Sequence, residues 1–434
     1  MTQPRLAVKG TLADLPAATL ARLTNRRSDA AAAVATSVRA IVERVRREGD
    51  SALLDLAQEL DGVHLAALEV PREEWRRALG ALPSQVLNAL ERAAANITCA
   101  HTAWRPRRAE VEVEPGVCIT RRPEPLSNAG VYAPGGRASY PSSVLMGVIP
   151  ARVAGVPEVI LCSPPGSTGQ PSDAVLAAAE IAGADRVYAV GGAAAIAAMA
   201  LGTESIPRVD CIVGPGNAYV TEAKLQLMRS VRTDLPAGPS EILIIADESA
   251  DLCGVAAELG AQAEHGGDSS AIAVVIGGAL AERLHAALAS TVSVMPRAET
   301  VYEALANTGA VLEARSLDEA LAFAESYAPE HLLIATRNAA DVAERVRNAG
   351  SVFVGLTSSV AFGDYITGAN HVLPTAGYAR AYSGLSTETF MRWTTVQTVT
   401  GTAAQRLAPL TAAFATAEGL AGHATAALRA GATQ

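Results

Sequence analysis

The chain has 434 residues, 50% of them hydrophobic and 18% charged. That is room for two or three domains with a deep core, and it excludes both a small disulfide-stapled or metal-dependent fold and the polar balance of a disordered chain. With 35 Lys+Arg against 44 Asp+Glu, the formal charge of -9 lacks the cationic excess that nucleic-acid binding needs, so a small-molecule substrate is expected and nucleic acid is not.

The only lysines are Lys9 and Lys224. No Gly-x-x-x-x-Gly-Lys phosphate loop can be written, and only Lys224 is placed for a Schiff base. Cys99, Cys118, Cys162, Cys211 and Cys253 are odd in number and contain no C-x-x-C, which reads as buried small hydrophobes in a reducing compartment. The first residues, MTQPRLAVKG, lack a continuous apolar run, and the most apolar stretch, Val187 to Leu201, is too short to span a bilayer. A cytoplasmic protein with no membrane partner is the expectation.

In chain order, the first ~100 residues read as helical scaffold: Val34, Val38, Ile41, Val42 and Val45 form one apolar stripe, and Gly49-Asp50-Ser51 ends one helix and caps the next. Glu110 to Glu114 then alternates with period two, and Pro115-Gly116 leads into a second extended run ending at Arg121-Arg122, predicting a hairpin. Arg105, Arg107, Arg108, Arg121 and Arg122 are interleaved with acids and read as an ion-paired solvated face, not a polyanion patch. From Gly130 onward β-branched runs alternate with Ala-rich helical ones: 158–162, 186–190, 211–213, 242–246, 271–276, 332–335 and 351–354. This predicts an α/β protein with two parallel, doubly wound sheets. After Gly377 no strand pattern returns, and a helical C-terminal tail is expected. No internal repeat is evident.

Glycine-rich turns follow strands at Gly191-Gly192 and Gly214-Pro215-Gly216-Asn217, as they do where backbone amides approach a phosphate, although neither matches G-x-G-x-x-G. Of the five histidines in the last 170 residues, His265, His331, His371 and His423 lie near other ligand types, while His285, like His64 and His101 before them, reads as structural, in helical scaffold. Gln262 and His265 share a face in the last turn of a helix stopped by Gly266-Gly267; His265 is either a ligand or the cap of its own helix. Asp364 is a ligand or an Asx-turn residue and His371 a ligand or a surface polar group, in a loop after 351–354 at the carboxyl edge of a sheet. Glu330 and His331 place an acid beside a base, and a shared site there requires a turn or a first helical turn whose positive end keeps His331 neutral.

Together, Asn128-Ala-Gly-Val-Tyr132-Ala-Pro-Gly-Gly, Gly214-Pro-Gly-Asn217, Gly238-Pro-Ser240-Glu, Gln262-Ala-Glu-His265-Gly, Ala328-Pro-Glu-His331-Leu, Gly363-Asp-Tyr and Asn370-His-Val-Leu-Pro resemble the histidinol dehydrogenase family in order and spacing, over about residues 25 to 425. The resemblance implies two incomplete Rossmann-like domains with a helical N-terminal segment and a helical tail. The division expected is an arm over 1–26, a first α/β domain from 27–131 plus 240–378 carrying most of the metal and catalytic site, a second on the NAD side over 132–239, and a tail over 379–434.

It further implies a zinc-dependent oxidation of an amino alcohol to an amino acid by two hydride transfers to NAD, through an aldehyde held on the enzyme. The implied zinc ligands are Gln262, His265, Asp364 and His423, a mixed N/O set suited to an open site that binds substrate. Glu330 and His331 are the implied proton-transfer pair, and Ser240, His371 and Glu418 join the ligands and His331 in holding substrate. Tyr132, Asn217 and position 194 are the implied NAD contacts. Glu418 and His423, five apart with Gly419 and Gly422 between, cannot share one rigid helix face; the resemblance has this tail reaching into the other subunit of an intertwined homodimer. The family pattern Gly-Gly-Ala-Gln-Ala-Ile is Gly191-Gly192-Ala193-Ala194-Ala195-Ile196 here, which removes a polar cofactor contact at Ala194. The alternatives are a dehydrogenase of the same superfamily acting on another small alcohol, such as a sulfonated diol, and a non-enzymatic metal- or nucleotide-binding protein.

Overall fold

The computed structural model describes residues 4–26, 32–135, 139–234 and 238–433. Met1–Gln3 of the expected arm and Gly136, which closes the motif begun at Asn128, lie outside them. The chain opens with strand β1 (Val8–Thr11) and helices α1 (Ala17–Thr24), α2 (Ala32–Glu48), α3 (Asp50–Leu56), α4 (Arg72–Ala81) and α5 (Ser84–Ala103). In α2, Val38, Val42 and Val45 of the expected stripe are buried, and Gly49, with φ at 56°, turns the chain into α3. His64 departs from the expectation of helix: it lies in the irregular segment beyond Asp61. The predicted hairpin is present as β2 (Ala109–Glu114) and β3 (Val117–Pro125), antiparallel about Pro115-Gly116, with Gly116 at a φ of 83°. Its arginines are ion-paired or stacked, Arg108 with Glu110, Arg122 with Glu124 and Arg121 over the Trp393 ring.

Two parallel sheets follow. The first comprises β4 (Asn128–Tyr132), α6 (Pro141–Ala154), β5 (Glu158–Ser163), α7 (Asp173–Ala182), β6 (Arg186–Ala189), α8 (Gly192–Leu201), β7 (Cys211–Val213), α9 (Ala218–Leu227) and β8 (Arg232–Thr233). Its strand order is β6-β5-β4-β7-β8, all parallel. The second comprises β9 (Glu241–Ala246), α10 (Leu252–Ala263), β10 (Ser270–Ile276), α11 (Leu280–Val292), α12 (Ala298–Asn307), β11 (Ala310–Ala314), α13 (Leu317–Tyr327), β12 (His331–Ala335), α14 (Ala339–Ala343), β13 (Ser351–Val354) and α15 (Val360–Tyr365). Its order is β1-β11-β10-β9-β12-β13, again all parallel. Apart from β1 the two sheets have the same winding, so the repeat that the amino-acid sequence hides exists in the topology. Continuous apolar strands suit both sheets because both faces are covered: in β9, Ile242 and Ile244 face one cluster while Leu243 and Ile245 face the other.

The hydrophobic clusters group the segments differently from the division expected. Residues of α2 to α5 share one core with the five-stranded sheet, among them Val38, Leu53, Trp75 and Ile97 with Val131, Leu161 and Met199. The six-stranded sheet instead takes β1 from the N-terminal arm as its edge. The expected all-helical tail also needs correction. Met391–Val399 forms β14, antiparallel to β3, ahead of helices α16 (Gly401–Ala417) and α17 (Ala421–Ala432). This strand is exposed along most of its length, so it lacks the apolar alternation that would mark it in the sequence. All five cysteines are unpaired; Cys162 and Cys211 are buried as expected, whereas Cys99 and Cys253 are exposed. No helix among the described residues is long and apolar enough to cross a membrane.

Candidate active site

The Glu330-His331 pair lies at the amino edge of the six-stranded sheet, at its switch point between β9 and β12, where His331 pairs with Ile242. His331 is the first residue of a strand and not part of a helix start, so of the two expected alternatives it is the turn that is present. The two side chains reach one site because the chain arrives through an irregular turn: Ala328 ends α13 at a φ of 50°, and Pro329 and Glu330 precede the regular strand. That turn is held by Gly350 N–H donating to Pro329 O and Ser351 N–H to Glu330 O, both at 2.8 Å. Glu330 Oε2 accepts from Ser240 Oγ at 2.7 Å and from Glu241 N–H at 2.8 Å. Ser240 Oγ in turn accepts from Gln262 Nε2 at 2.8 Å, which leaves the Gln262 carbonyl oxygen as its coordinating atom.

Three histidines have the same tautomer imposed on them, because each sets Nδ1 against backbone carbonyls, which can only accept. His331 Nδ1–H donates to Glu241 O at 3.2 Å, His371 Nδ1–H to Asp364 O at 2.8 Å, and His265 Nδ1–H to the carbonyls of Ala261 and Gln262 at 3.2 Å. In the neutral ring, this puts the lone pair of each on Nε2. For His265, beyond the end of α10, the helix-cap reading and the ligand reading are not rivals: Nδ1 caps and Nε2 is left for a ligand. His331 Nε2 is buried without a hydrogen-bond partner, 3.6 Å from Asp364 Oδ1. His371 Nε2 lies 3.5 Å from Ser143 Oγ on α6. Asp364 sits on the short helix α15, which returns from the end of β13 to the amino edge, so the site is not at the carboxyl edge where the sequence placed it.

Burial pushes the Glu330 carboxyl up to about 8, against the Ser240 and Glu241 hydrogen bonds that favour its anion. Burial also holds His331 and His371 below the ordinary imidazole range, opposed in both by the Asp364 carboxylate. The pair is thus a neutral imidazole with a free lone pair beside a carboxyl that exchanges its proton near neutrality, an arrangement suited to general acid–base work.

The candidate cofactor residues lie at the carboxyl edge of the five-stranded sheet. Tyr132 ends β4, and its hydroxyl accepts from Gly192 N–H at 3.0 Å at the start of α8. Asn217 caps α9, accepting from Tyr219 N–H and Val220 N–H. Ala194 is the third residue of α8 and is closed into the apolar core at 5% exposure. Lys224 is not available for a Schiff base: it is buried in an ion pair with Asp234 at 2.5 Å and donates to Gly214 O. Within one chain the structure brings Ser240, Gln262, Glu330, His331, Asp364 and His371 together, but not Glu418 and His423. Those two are exposed on the tail, Glu418 as the C-cap of α16 and His423 in the first turn of α17, with Gly419 at a φ of 79° breaking the helix between them. Among the described residues no group of three or more His, Cys, Asp and Glu side chains is placed to hold a metal by itself. Sequence reasoning gave no role to Ser143 or to the backbone of Glu241; a serine buried in the otherwise apolar 143–151 stretch of α6 is the signal that could have found the first.

A doubly wound pair of parallel sheets, with glycine-rich turns at the carboxyl edge of one and an acid–base pair at the amino edge of the other, is the architecture of an α/β enzyme. The model of the histidinol dehydrogenase family matches residues 24–430, and the chain belongs to that family. It is 46% identical over 414 residues to histidinol dehydrogenase of Methanosarcina mazei, covering 95% of each chain, and 48% identical to that of Halobacterium salinarum, covering 90% of this chain and 92% of the other. The crystal structure of histidinol dehydrogenase from Elizabethkingia anophelis superposes with a TM-score of 0.94 at 35% identity, covering 99% of both chains.

Proposed function

We propose that the chain oxidises L-histidinol to L-histidine through L-histidinaldehyde, reducing two NAD, in the last steps of histidine biosynthesis. The observation that carries this reading is the Glu330-His331 pair, one neutral base with its lone pair free and one carboxyl poised near neutrality. His331 Nε2 takes the alcohol proton while the carbinol hydride leaves to NAD, giving the aldehyde. Glu330, as carboxylate, takes a proton from the water that adds to the aldehyde carbon. His331, once it has passed its first proton to solvent, takes a hydroxyl proton from the resulting hydrate anion, and loss of the second hydride, for which a second bound NAD would be the acceptor, leaves the carboxylate product.

Ser240 and His371 contact the substrate from this chain, and Glu418 and His423 come from a second copy, in an intertwined homodimer. The tail supports that arrangement, since Leu410 and Phe414, one turn apart on α16, are 70% and 71% exposed and want a covering surface. Gln262, His265 and Asp364, with His423 of the second copy, are the zinc ligands, and the carbonyl oxygen, imidazole nitrogen and carboxylate they offer match that ion's preferences. When bound, zinc supplies a Lewis acid that orients the substrate's imidazole and amine. NAD lies along Tyr132, Ala194 and Asn217, and the protein works in the cytoplasm.

The test is NADH formation with histidinol, and separately with histidinaldehyde, by the wild type, His331→Asn and Glu330→Gln. Two NADH per histidinol are expected, with both steps lost in His331→Asn and mainly the aldehyde step in Glu330→Gln. NAD reduction with a sulfonated diol and none with histidinol overturns the substrate; an active His331→Asn overturns the assignment of the base.

A further inference from the structure

Glu241 holds both members of the proton-transfer pair through its main chain: its N–H donates to Glu330 and its carbonyl accepts from His331. Its side chain is buried at 3% exposure and is engaged by a residue outside the site. Arg26 Nε donates to Glu241 Oε2 at 2.7 Å and Nη2 to Oε1 at 3.0 Å, a bidentate grip. The same guanidinium donates to Tyr327 O at 2.9 Å and to Leu23 O at 3.0 Å, and its carbon lies 3.4 Å from the centre of the Tyr327 ring. The Tyr327 hydroxyl closes the cluster, donating to Glu241 Oε2 at 3.3 Å and lying 2.9 Å from Ser270 Oγ. Arg26 thus joins the first residue of β9 to the last residue of α13, three positions before Glu330.

We propose that Arg26 is a positioning residue: by clamping Glu241 to Tyr327 it fixes the Glu241 amide and carbonyl that orient Glu330 and His331. This rests on the reading of those two as the proton-transfer pair. Arg26 touches neither of them nor any candidate ligand, so its effect runs only through the main chain. Without it, a buried carboxylate loses its partner. A cavity of about 220 Å³, lined in part by Arg26, Glu241, Leu23 and Ser270, gives that carboxylate a path toward water. Turning that way draws the Glu241 backbone off the pair. A simple structural tie between the arm and the sheet predicts something different, a loss of folded protein with normal turnover in what remains.

The experiment compares Arg26→Met, Arg26→Lys and Tyr327→Phe in the full-length protein with zinc, each alone, and Arg26→Met also with His331→Asn. Arg26→Met is expected to lower kcat about 10- to 100-fold for histidinol and histidinaldehyde, the scale of an ångström-level misplacement, with KM within about threefold and zinc content unchanged. Arg26→Lys, which keeps the charge without the fork, recovers part of the loss. Tyr327→Phe, which keeps the ring and the carbonyl, loses a few-fold and covers the case in which Arg26→Met does not fold. In the His331→Asn background Arg26→Met produces no further loss in the residual oxidation of histidinol to the aldehyde, the step that uses His331 and not Glu330. In ¹⁵N-histidine spectra the His331 ring signal, assigned by its absence in His331→Asn, shifts in Arg26→Met while those of His265 and His371 hold. A kcat within twofold of wild type in the Arg26 and Tyr327 variants, additive losses in the double variant, or an unmoved His331 signal overturns the proposal. A His331→Asn variant with normal turnover overturns instead the reading on which it rests.

Discussion

The five-stranded and six-stranded sheets share one winding yet carry their candidate site residues on opposite edges. In the five-stranded sheet the candidate residues follow the strands: Tyr132 ends β4, and Gly191-Gly192 and Gly214 to Asn217 open α8 and α9. In the six-stranded sheet they precede the strands: Ser240 and Glu241 lead into β9, Glu330 and His331 into β12, and Gln262 and His265 mark the end of α10. The difference is one of electrostatics. Helix N-termini crowd the first edge and present the positive ends of their dipoles, which suits the phosphates of a dinucleotide. The C-termini of α10 and α13 crowd the second and present carbonyls with partial negative charge, which suits a cation, and those at the end of α10 hold the His265 Nδ1–H. The two edges meet where Asn370 Nδ2 donates to Met146 O at 2.8 Å and His371 approaches Ser143. One winding used twice, with opposite polarity, places an anion-seeking and a cation-seeking surface face to face.

The sharpest break of this comparison is a single methyl group at the carboxyl edge. Gly214 has a φ of 122°, and a Cβ there would stand 2.0 Å from Tyr132 O, while its own N–H and carbonyl are committed to Asp234 and Lys224. Neither backbone strand can retreat, so Gly214→Ala is expected to cost about 3 kcal/mol or more and to raise the apparent NAD constant more than tenfold. The amino edge should be spared. Denaturant midpoints, NAD titration and zinc content together check this, and an unchanged NAD constant would remove the carboxyl edge from cofactor binding.

At the amino edge the smaller, pH-dependent effect is that of Glu330→Gln on metal-free protein. Burial raises the folded carboxyl from 4.5 to about 8, so the folded state binds the proton more tightly than the unfolded state. The stabilisation is complete below about 4.5 and is lost as pH rises through 8. Glutamine stays neutral throughout, so the variant should match wild type near pH 4.5 and exceed it at pH 9 by an amount on the order of a few kcal/mol. Denaturation series at several pH values test the sign. Parallel slopes for the two proteins would mean that Glu330 is already ionised in the fold.

The parts of this comparison that the sequence made legible are those set by local pattern. The hairpin about Pro115-Gly116 and seven of the parallel strands follow from period and β-branched content: six of the seven are largely buried on both faces, and β2 and the part-exposed β13 carry the alternation or the β-branched residues alone. β14 was not legible, since an exposed strand carries no burial signal, and neither was the edge on which the site lies. Asp364 follows β13 and was expected at its carboxyl end, but α15 doubles back, and Gly363 makes that possible: a Cβ there would stand 2.6 Å from the Phe353 ring, which packs beside His331. Such a return depends on tertiary packing and has no local code. By local pattern Glu330 and His331 were legible only as neighbours, and the family resemblance alone made them partners, because their convergence depends on Ala328 adopting a left-handed conformation that alanine rarely takes.

The finest expected effect concerns Ala194, where the nucleotide edge lacks a polar group that the family pattern carries. Side chains on a helix lean toward its N-terminus, so a glutamine at this third position of α8 would aim its carboxamide at the Gly191-Gly192 turn and the Tyr132 hydroxyl, the part of the edge proposed to face NAD. A neutral hydrogen bond gained there is worth roughly 0.5 to 1.5 kcal/mol, so Ala194→Gln should lower the apparent NAD constant about 2- to 12-fold with little change in kcat. The 5% exposure of Ala194 sets the opposing force. If the longer side chain turns inward among Ala193, Ala197 and Ala198, overpacking should cost about 1 to 3 kcal/mol instead. The two fates separate cleanly when NAD titration at saturating histidinol is paired with a denaturation midpoint. A lower constant at unchanged stability places the amide on the cofactor, whereas an unchanged constant with a lower midpoint means that the core has closed around alanine and the edge now binds NAD through Tyr132, Asn217 and its backbone amides alone.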